Sequence, residues 1–248
     1  MLTKQEIERI IELHNEQIAQ GKALRNLKKR QVTRVLFDGK RYVVKAYLRR
    51  WWHKLFFQSL CKTTSVALLE GFTPLCIGDT GRSLPWQYTI YEDAGNQDLY
   101  AIMRDARLPD GFEKLYASAG ELLARIHQKG IYHGDTKPPN FVLNTAIPAL
   151  PLVVIVDCDH VIAYSKLPDY RRIFNLAQFL ATNDIHPDNI ELYPTCMKAF
   201  ASQYATTTGL SQRQMAYLLS QAVQLALSSH RIERRVSPEL LSSLPPIA

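Results

Sequence analysis

The chain is poor in the residues that staple a protein together or carry it across a membrane. It has four cysteines, Cys61, Cys76, Cys158 and Cys196, and no two of them form a Cys-x-x-Cys pair. That spacing argues against a thiolate zinc site or a disulfide framework and fits a reducing compartment. No apolar run approaches the roughly 20 residues that a membrane-crossing helix needs. The opening Met1–Glu6 leads into a charged amphipathic stretch rather than the apolar core of a secretion signal. A cytoplasmic location is therefore expected, with peripheral attachment to a membrane left open. There is no internal repeat and no low-complexity linker. Acid is scarce in one region above all: thirteen Lys and Arg residues between 22 and 62 face a single carboxylate, Asp38.

What is present suits a folded domain. Hydrophobic residues make up 46% and charged residues 21% of the 248, enough to bury a core in one large or one two-lobed domain. The net charge of +7 points to an anionic partner: a nucleotide, a nucleic acid or an anionic membrane surface.

Thr3 and Glu6 stand at capping-box spacing before Ile7, Ile10, Ile11 and Ile18, predicting a helix over about 3–20. Two alternating β-rich runs, 31–37 and 41–47, flank Asp38-Gly39-Lys40 and predict a hairpin. A basic, aromatic segment follows at about 48–62, then a short helical pattern that stops at Gly71. Strands are expected near 74–78 and 87–92. From about 110 the pattern turns helical, with Leu115, Ala119, Leu122, Leu123 and Ile126 on one face and Gly130 as a stop. A β-rich interval at 141–163 precedes helices over about 169–182, 188–205 and 211–230. This order predicts an α+β fold, a small β-rich lobe followed by a larger α-helical lobe.

The chemistry concentrates in His133-Gly134-Asp135-Thr136-Lys137-Pro138-Pro139-Asn140, followed by the apolar run 152–156 that ends in Asp157. Phosphoryl transfer needs a carboxylate to orient and deprotonate an acceptor hydroxyl, oxygen ligands for magnesium, and a cation near the transferring phosphate. Asp135 suits the first task, and Lys137, two residues on in an extended loop, leans the same way. Asn140 and Asp157 offer oxygens to the metal. A lone Asp-x-x-x-x-Asn is common, and a lone Asp after a strand is usually a turn residue. Their occurrence together and in this order is what carries weight.

This pattern resembles the catalytic and metal-binding loops of protein kinases and their sugar- and antibiotic-phosphorylating relatives. The resemblance implies a single protein-kinase-like domain over 1–248, with an N-lobe of about 1–92 and a C-lobe of about 93–248, using ATP and Mg2+. It implies that Lys45 in Val43-Val44-Lys45 meets the nucleotide phosphates, and that Glu92, Asp93 and Ala94 receive adenine through backbone groups. Within that superfamily the chain is similar to the lipopolysaccharide core kinases, the heptose and Kdo kinases. The similarity rests on the Asp38–Lys45 hairpin, the His133–Asn140 loop with Phe141, and the Val156-Asp157-x-Asp159 ending. It implies transfer of the γ-phosphate to a sugar hydroxyl, usually of heptose, in the lipopolysaccharide inner core at the cytoplasmic face of the inner membrane.

The sequence departs from the superfamily pattern in three places. No glycine-rich loop precedes Lys45; Leu24–Gln31 is basic instead. The acid expected to pair with Lys45 is obscure, Glu70 being the only one between Lys45 and Asp79. Asn175 stands where relatives often place a supporting Asp. These departures argue against a regulated protein kinase and leave open a kinase for a soluble small molecule or protein, or an ATP-binding pseudokinase. Trp51, Trp52, Phe56 and Phe57 among Arg49, Arg50 and Lys54 suit an anionic membrane interface, although the same residues also suit the buried face of a helix. No nucleic-acid motif accompanies the basic region, so nucleic acid is not an expected partner.

Overall fold

The structure is a computed structural model, and it describes residues 2–48, 68–79, 86–105 and 111–244. The basic aromatic segment, with the predicted helix that follows it, lies outside these apart from its last residues. The chain divides into two compact units, Met1–Glu70 with Pro74–Ala94, and Gly71–Thr73 with Gly95–Ala248.

The first unit opens with α1 (Lys4–Ala19). Its start is the predicted capping box: Thr3 Oγ1 accepts from the Glu6 N–H, and Glu6 Oε2 accepts from the Thr3 N–H at 2.7 Å. Five antiparallel strands follow: β1 (Arg25–Leu27), β2 (Arg30–Phe37), β3 (Lys40–Leu48), β4 (Cys76–Asp79) and β5 (Trp86–Glu92), in the order β1-β2-β3-β5-β4. Phe37 pairs with Lys40, leaving Asp38 and Gly39 as a two-residue turn with φ of 47° and 71°, the positive pair that a tight hairpin needs.

Strand alternation sorts the two faces of this sheet. Val35, Val44 and Ile90 face α1, where they bury Ile10. The opposite face carries Arg25, Val32, Lys45 and Thr89 as one cross-strand row, with Arg30 and Tyr47 paired two residues along. The short strand β1 was not expected from sequence.

The second unit is mainly helical: α2 (Leu99–Arg104), α3 (Phe112–Gln128), α4 (Asp169–Ala181), α5 (Tyr193–Thr208), α6 (Gln212–Ser228) and α7 (Pro238–Ser242). The β-rich interval resolves into β6 (Ile131–Tyr132) paired with β9 (Ile162–Ala163), and a hairpin of β7 (Phe141–Leu143) with β8 (Val153–Ile155). The helix expected from 188 begins as a 3-10 turn, Pro187–Leu192, before α5. The short helices α2 and α7 carry too few residues for a period to show.

Packing in this unit centres on a column of aromatic rings. Phe179 on α4 stacks on Phe200 of α5 at 4.1 Å between centroids, and meets Phe141 of β7 edge-on at 5.0 Å. α3 and α5 approach closely at Gly120, where any Cβ would lie 2.1 Å from the Phe200 carbonyl oxygen. Among the described residues no helix is long and apolar enough to cross a membrane.

Candidate active site

Asp135 sits on a non-repetitive loop between β6 and a 3-10 turn, Pro138–Asn140. Three features shape that loop. Gly134 takes φ 80°, and a Cβ there would lie 2.6 Å from the His160 carbonyl oxygen. Asn140 Nδ2 donates to the Asp135 carbonyl at 2.8 Å and to its Oδ2 at 3.0 Å. Lys137 Nζ stands 3.3 Å from the other carboxylate oxygen, Oδ1. The structure thus brings Asp135, Lys137 and Asn140 together around one carboxylate.

Asp157 arrives by strand register. Phe141 pairs with Ile155 across β7 and β8, and the Val156 N–H donates to the Asn140 carbonyl at 2.8 Å. This places Asp157 one residue beyond the backbone partner of Asn140. Its φ is 63° and ψ 53°. Asp tolerates this left-handed conformation better than most residues, but it still carries strain, and such strain gathers at functional sites.

Because Asn140 spends its amide N–H groups on two acceptors of Asp135, its orientation is fixed, and Oδ1 accepts no hydrogen bond among the described residues. An amide oxygen held this way, next in register to a carboxylate, fits magnesium, which uses one or two protein oxygens and takes the rest from phosphate and water. Among the described residues no cluster of three His, Cys, Asp or Glu side chains stands ready for a metal.

The bracing of the loop was illegible from its own sequence. Gln178 of α4 spans Asp135 from beneath: its Oε1 accepts from the Thr136 N–H at 3.2 Å, and its Nε2 donates to the Gly134 carbonyl at 3.3 Å. Thr136 Oγ1 donates to the Asn175 carbonyl at 2.7 Å. Asn175 Oδ1 lies 3.1 Å from His127 Nε2, and His127 Nδ1 lies 2.7 Å from the Tyr204 hydroxyl. An amide oxygen only accepts, so Nε2 carries the proton and Nδ1 accepts from Tyr204. Burial pushes the His127 pKa down to about 3 and raises that of Tyr204, which keeps this chain of groups neutral. Asn175 and Gln178, three residues apart on the buried side of α4, were the available signal: uncharged polar residues in the otherwise apolar run Asn175–Ala181.

Two of these polar groups are tied to core anchors by chain adjacency. Asn140 precedes Phe141, and Gln178 precedes Phe179, so the aromatic contact between Phe141 and Phe179 fixes two neighbours of the loop at once.

In the first unit, Lys45 lies on β3 opposite Val32 and Thr89, its Nζ 5.4 Å from the centre of the Tyr91 ring. Glu92 ends β5 and pairs with Tyr42. The Asp93 carboxylate is buried against Arg34 Nε at 2.7 Å, with Arg41 Nε at 3.9 Å. The N–H groups of Glu92 and Asp93 donate to the carbonyls of Leu75 and Arg41. Ala94 is buried yet makes no backbone hydrogen bond among the described residues. Glu70 is exposed.

The β-rich first unit, the helical second unit and the loops just described define the protein-kinase-like fold. WaaP, solved in complex with acyl carrier protein, shares it: the two superpose over 89% of this chain and 91% of that one, with a TM-score of 0.52 at 20% identity. No protein-family model and no curated protein sequence matches the chain.

Proposed function

We propose that the chain is an ATP-dependent kinase, one domain built from both units, that phosphorylates a heptose hydroxyl of the lipopolysaccharide inner core. The observation that carries the reading is the Asp135 carboxylate held by Asn140 on one oxygen and Lys137 on the other. Asp135 is the base that orients the acceptor hydroxyl and takes its proton. Lys137 moves from Asp135 to the γ-phosphate as charge develops there. Bound magnesium neutralises phosphate charge, and Asn140 Oδ1 with Asp157 are the groups to hold it.

On the first unit, Lys45 takes the α- and β-phosphates. Arg25, in its cross-strand row, and Arg30 in the next supply the cationic cover that a glycine-rich loop gives elsewhere. Adenine is read by the backbone of Glu92–Ala94, chiefly at Ala94.

The acceptor class rests on the likeness of the motifs to lipopolysaccharide core kinases and on the fold shared with WaaP. Exposed Leu24 and Leu27 beside exposed Arg25, Lys28 and Lys29 also suit the surface of an anionic inner membrane. The WaaP complex makes an acyl carrier protein a partner to test by co-purification.

The decisive assay supplies labelled ATP, magnesium and truncated core lipopolysaccharide to the purified protein. Asp135→Ala should cut transfer by about 100- to 10,000-fold with thermal stability retained. Turnover equal to that of the unaltered protein would remove Asp135 as the base.

A further inference from the structure

One group of charged residues beside the Asp135 loop takes no part in bracing it. The segment 232–236 has buried Ile232 and Val236 at its ends and exposed Glu233, Arg234 and Arg235 between them. It is pinned to the end of α4, where the N–H groups of Arg235 and Val236 both donate to the Ala181 carbonyl, at 2.8 and 3.1 Å. Thr182 Oγ1 donates to the Glu233 carbonyl at 3.1 Å. Ala181 lies three residues beyond Gln178, so one helix end positions both the catalytic loop and this segment.

The two are also joined through side chains. Lys137 Nζ, 3.3 Å from Asp135, is 3.9 Å from Glu233 Oε2. Glu233 Oε1 takes both Nε and Nη2 of Arg235, at 2.9 and 2.7 Å. Arg235 donates to the Tyr100 hydroxyl, which donates to Asp184. The guanidinium carbons of Arg104 and Arg235 lie 5.4 and 5.2 Å from the Tyr100 ring centre. Arg104 Nε lies 3.5 Å from Asp184 Oδ2, and the Arg104 side chain is 57% exposed. A guanidinium this exposed has N–H groups to offer to a carboxylate or phosphate.

We propose that Arg104 and Arg235, stacked on Tyr100, bind a phosphate or carboxylate of the acceptor, while Glu233 and Asp184 accept hydrogen bonds from its hydroxyls. Cations alternating with acids suit a hydroxyl-rich ligand bearing isolated negative charge better than a polyanion. The subsite deepens the kinase reading and rests on it: it holds the acceptor beside the Asp135 loop.

The test measures equilibrium binding of deacylated core oligosaccharide by calorimetry, alongside phosphoryl transfer. Arg104→Gln and Arg235→Gln should each raise the dissociation constant and the acceptor KM about tenfold, with kcat at saturating acceptor and affinity for Mg–ATP unchanged. Arg235→Lys should recover part of the loss. Oligosaccharide with its carboxylates methyl-esterified, or its phosphates removed by phosphatase, should bind the unaltered protein and the variants alike. Whichever treatment does so names the group recognised. Equal losses on charged and neutralised acceptors, or no loss on either, would overturn the proposal. Charge-dependent binding without any phosphoryl transfer would instead support the subsite and sink the kinase.

Discussion

The two units hold their polar groups by different means. In the first, register does the work: Arg25, Val32, Lys45 and Thr89 share a face because three strand pairings align them, and no single side chain fixes the row. In the second, Asp135 lies on a loop with no repeating hydrogen-bond pattern. Its geometry depends on one glycine and on particular side chains, Thr136 and Asn140 of the loop itself and Gln178 of α4. A sheet face spreads its dependence over many backbone bonds. A braced loop concentrates it in a few side chains, and point substitutions should expose that contrast.

The largest contrast is expected between two glycines of similar φ. Gly39→Ala meets no atom within 4 Å, so it bears only the left-handed backbone strain of about 1–2 kcal/mol. Turnover should persist, and Tm should fall by roughly 2–4 °C per kcal/mol. Gly134→Ala bears the same strain and also sets a methyl group 2.6 Å from the His160 carbonyl. The loop must move, and phosphoryl transfer should drop far more than stability does. If the two variants matched in both melting temperature and turnover, the contrast between register and bracing would fail.

A smaller effect should come from Gln178→Leu. The volume is nearly kept, but the Thr136 N–H and the Gly134 carbonyl lose their partner, at about 1–3 kcal/mol for each buried group left unsatisfied. The expected result is a fall in kcat of about tenfold or more with little change in KM for ATP, since the first unit is untouched. A change confined to the KM for ATP would show that Gln178 does not act through the loop.

The same contrast explains what the sequence could tell. The grouping of Asp135, Lys137 and Asn140 was legible because the three stand in one short, ordered string. The Asp38-Gly39 turn and the Thr3–Glu6 cap were legible because each is closed by neighbours in sequence. Gln178 and His127 were not singled out, since they act across 44 and 48 positions, on Gly134 and Asn175 respectively, and nothing local marks a side chain that satisfies a distant backbone group. Asn175 drew notice as a departure from an expected acid, yet its partner His127 emerged only with the hydrogen bond that joins α3 to α4. The cationic sheet face was half legible: the basic run was plain, but its arrangement depended on β1, three residues long and without an alternating pattern to announce it.

The smallest expected effect compares a buried histidine in each unit. His14 of α1 lies 2.7 Å from Thr33 Oγ1 with its ring edge-on to Tyr88, and burial pushes its pKa down to about 4. His127 lies between Tyr204 and Asn175, with a pKa near 3. In the unfolded chain both titrate near 6.5. Above that pH both are neutral in either state and contribute no pH dependence. As the pH falls below about 6.5 the unfolded chain takes up two protons that the folded protein refuses, so stability falls. The slope is at most about 1.4 kcal/mol per pH unit for each histidine, and it persists until the folded groups titrate, near 4 for His14 and near 3 for His127. Urea unfolding at pH 7.5, 6.5 and 5.5 should show this decline, and His14→Gln or His127→Gln should each remove about half of it. The two should differ in turnover measured at pH 7.5. His127→Gln disturbs the support of Asn175 and Thr136 and slows transfer, whereas His14→Gln, on the α1 side of the sheet, does not. A pH slope unchanged in His127→Gln would mean that His127 is already charged in the folded protein. Nδ1 would then donate to Tyr204 rather than accept from it, and the neutral chain from Tyr204 to the Asp135 loop would have to be redrawn.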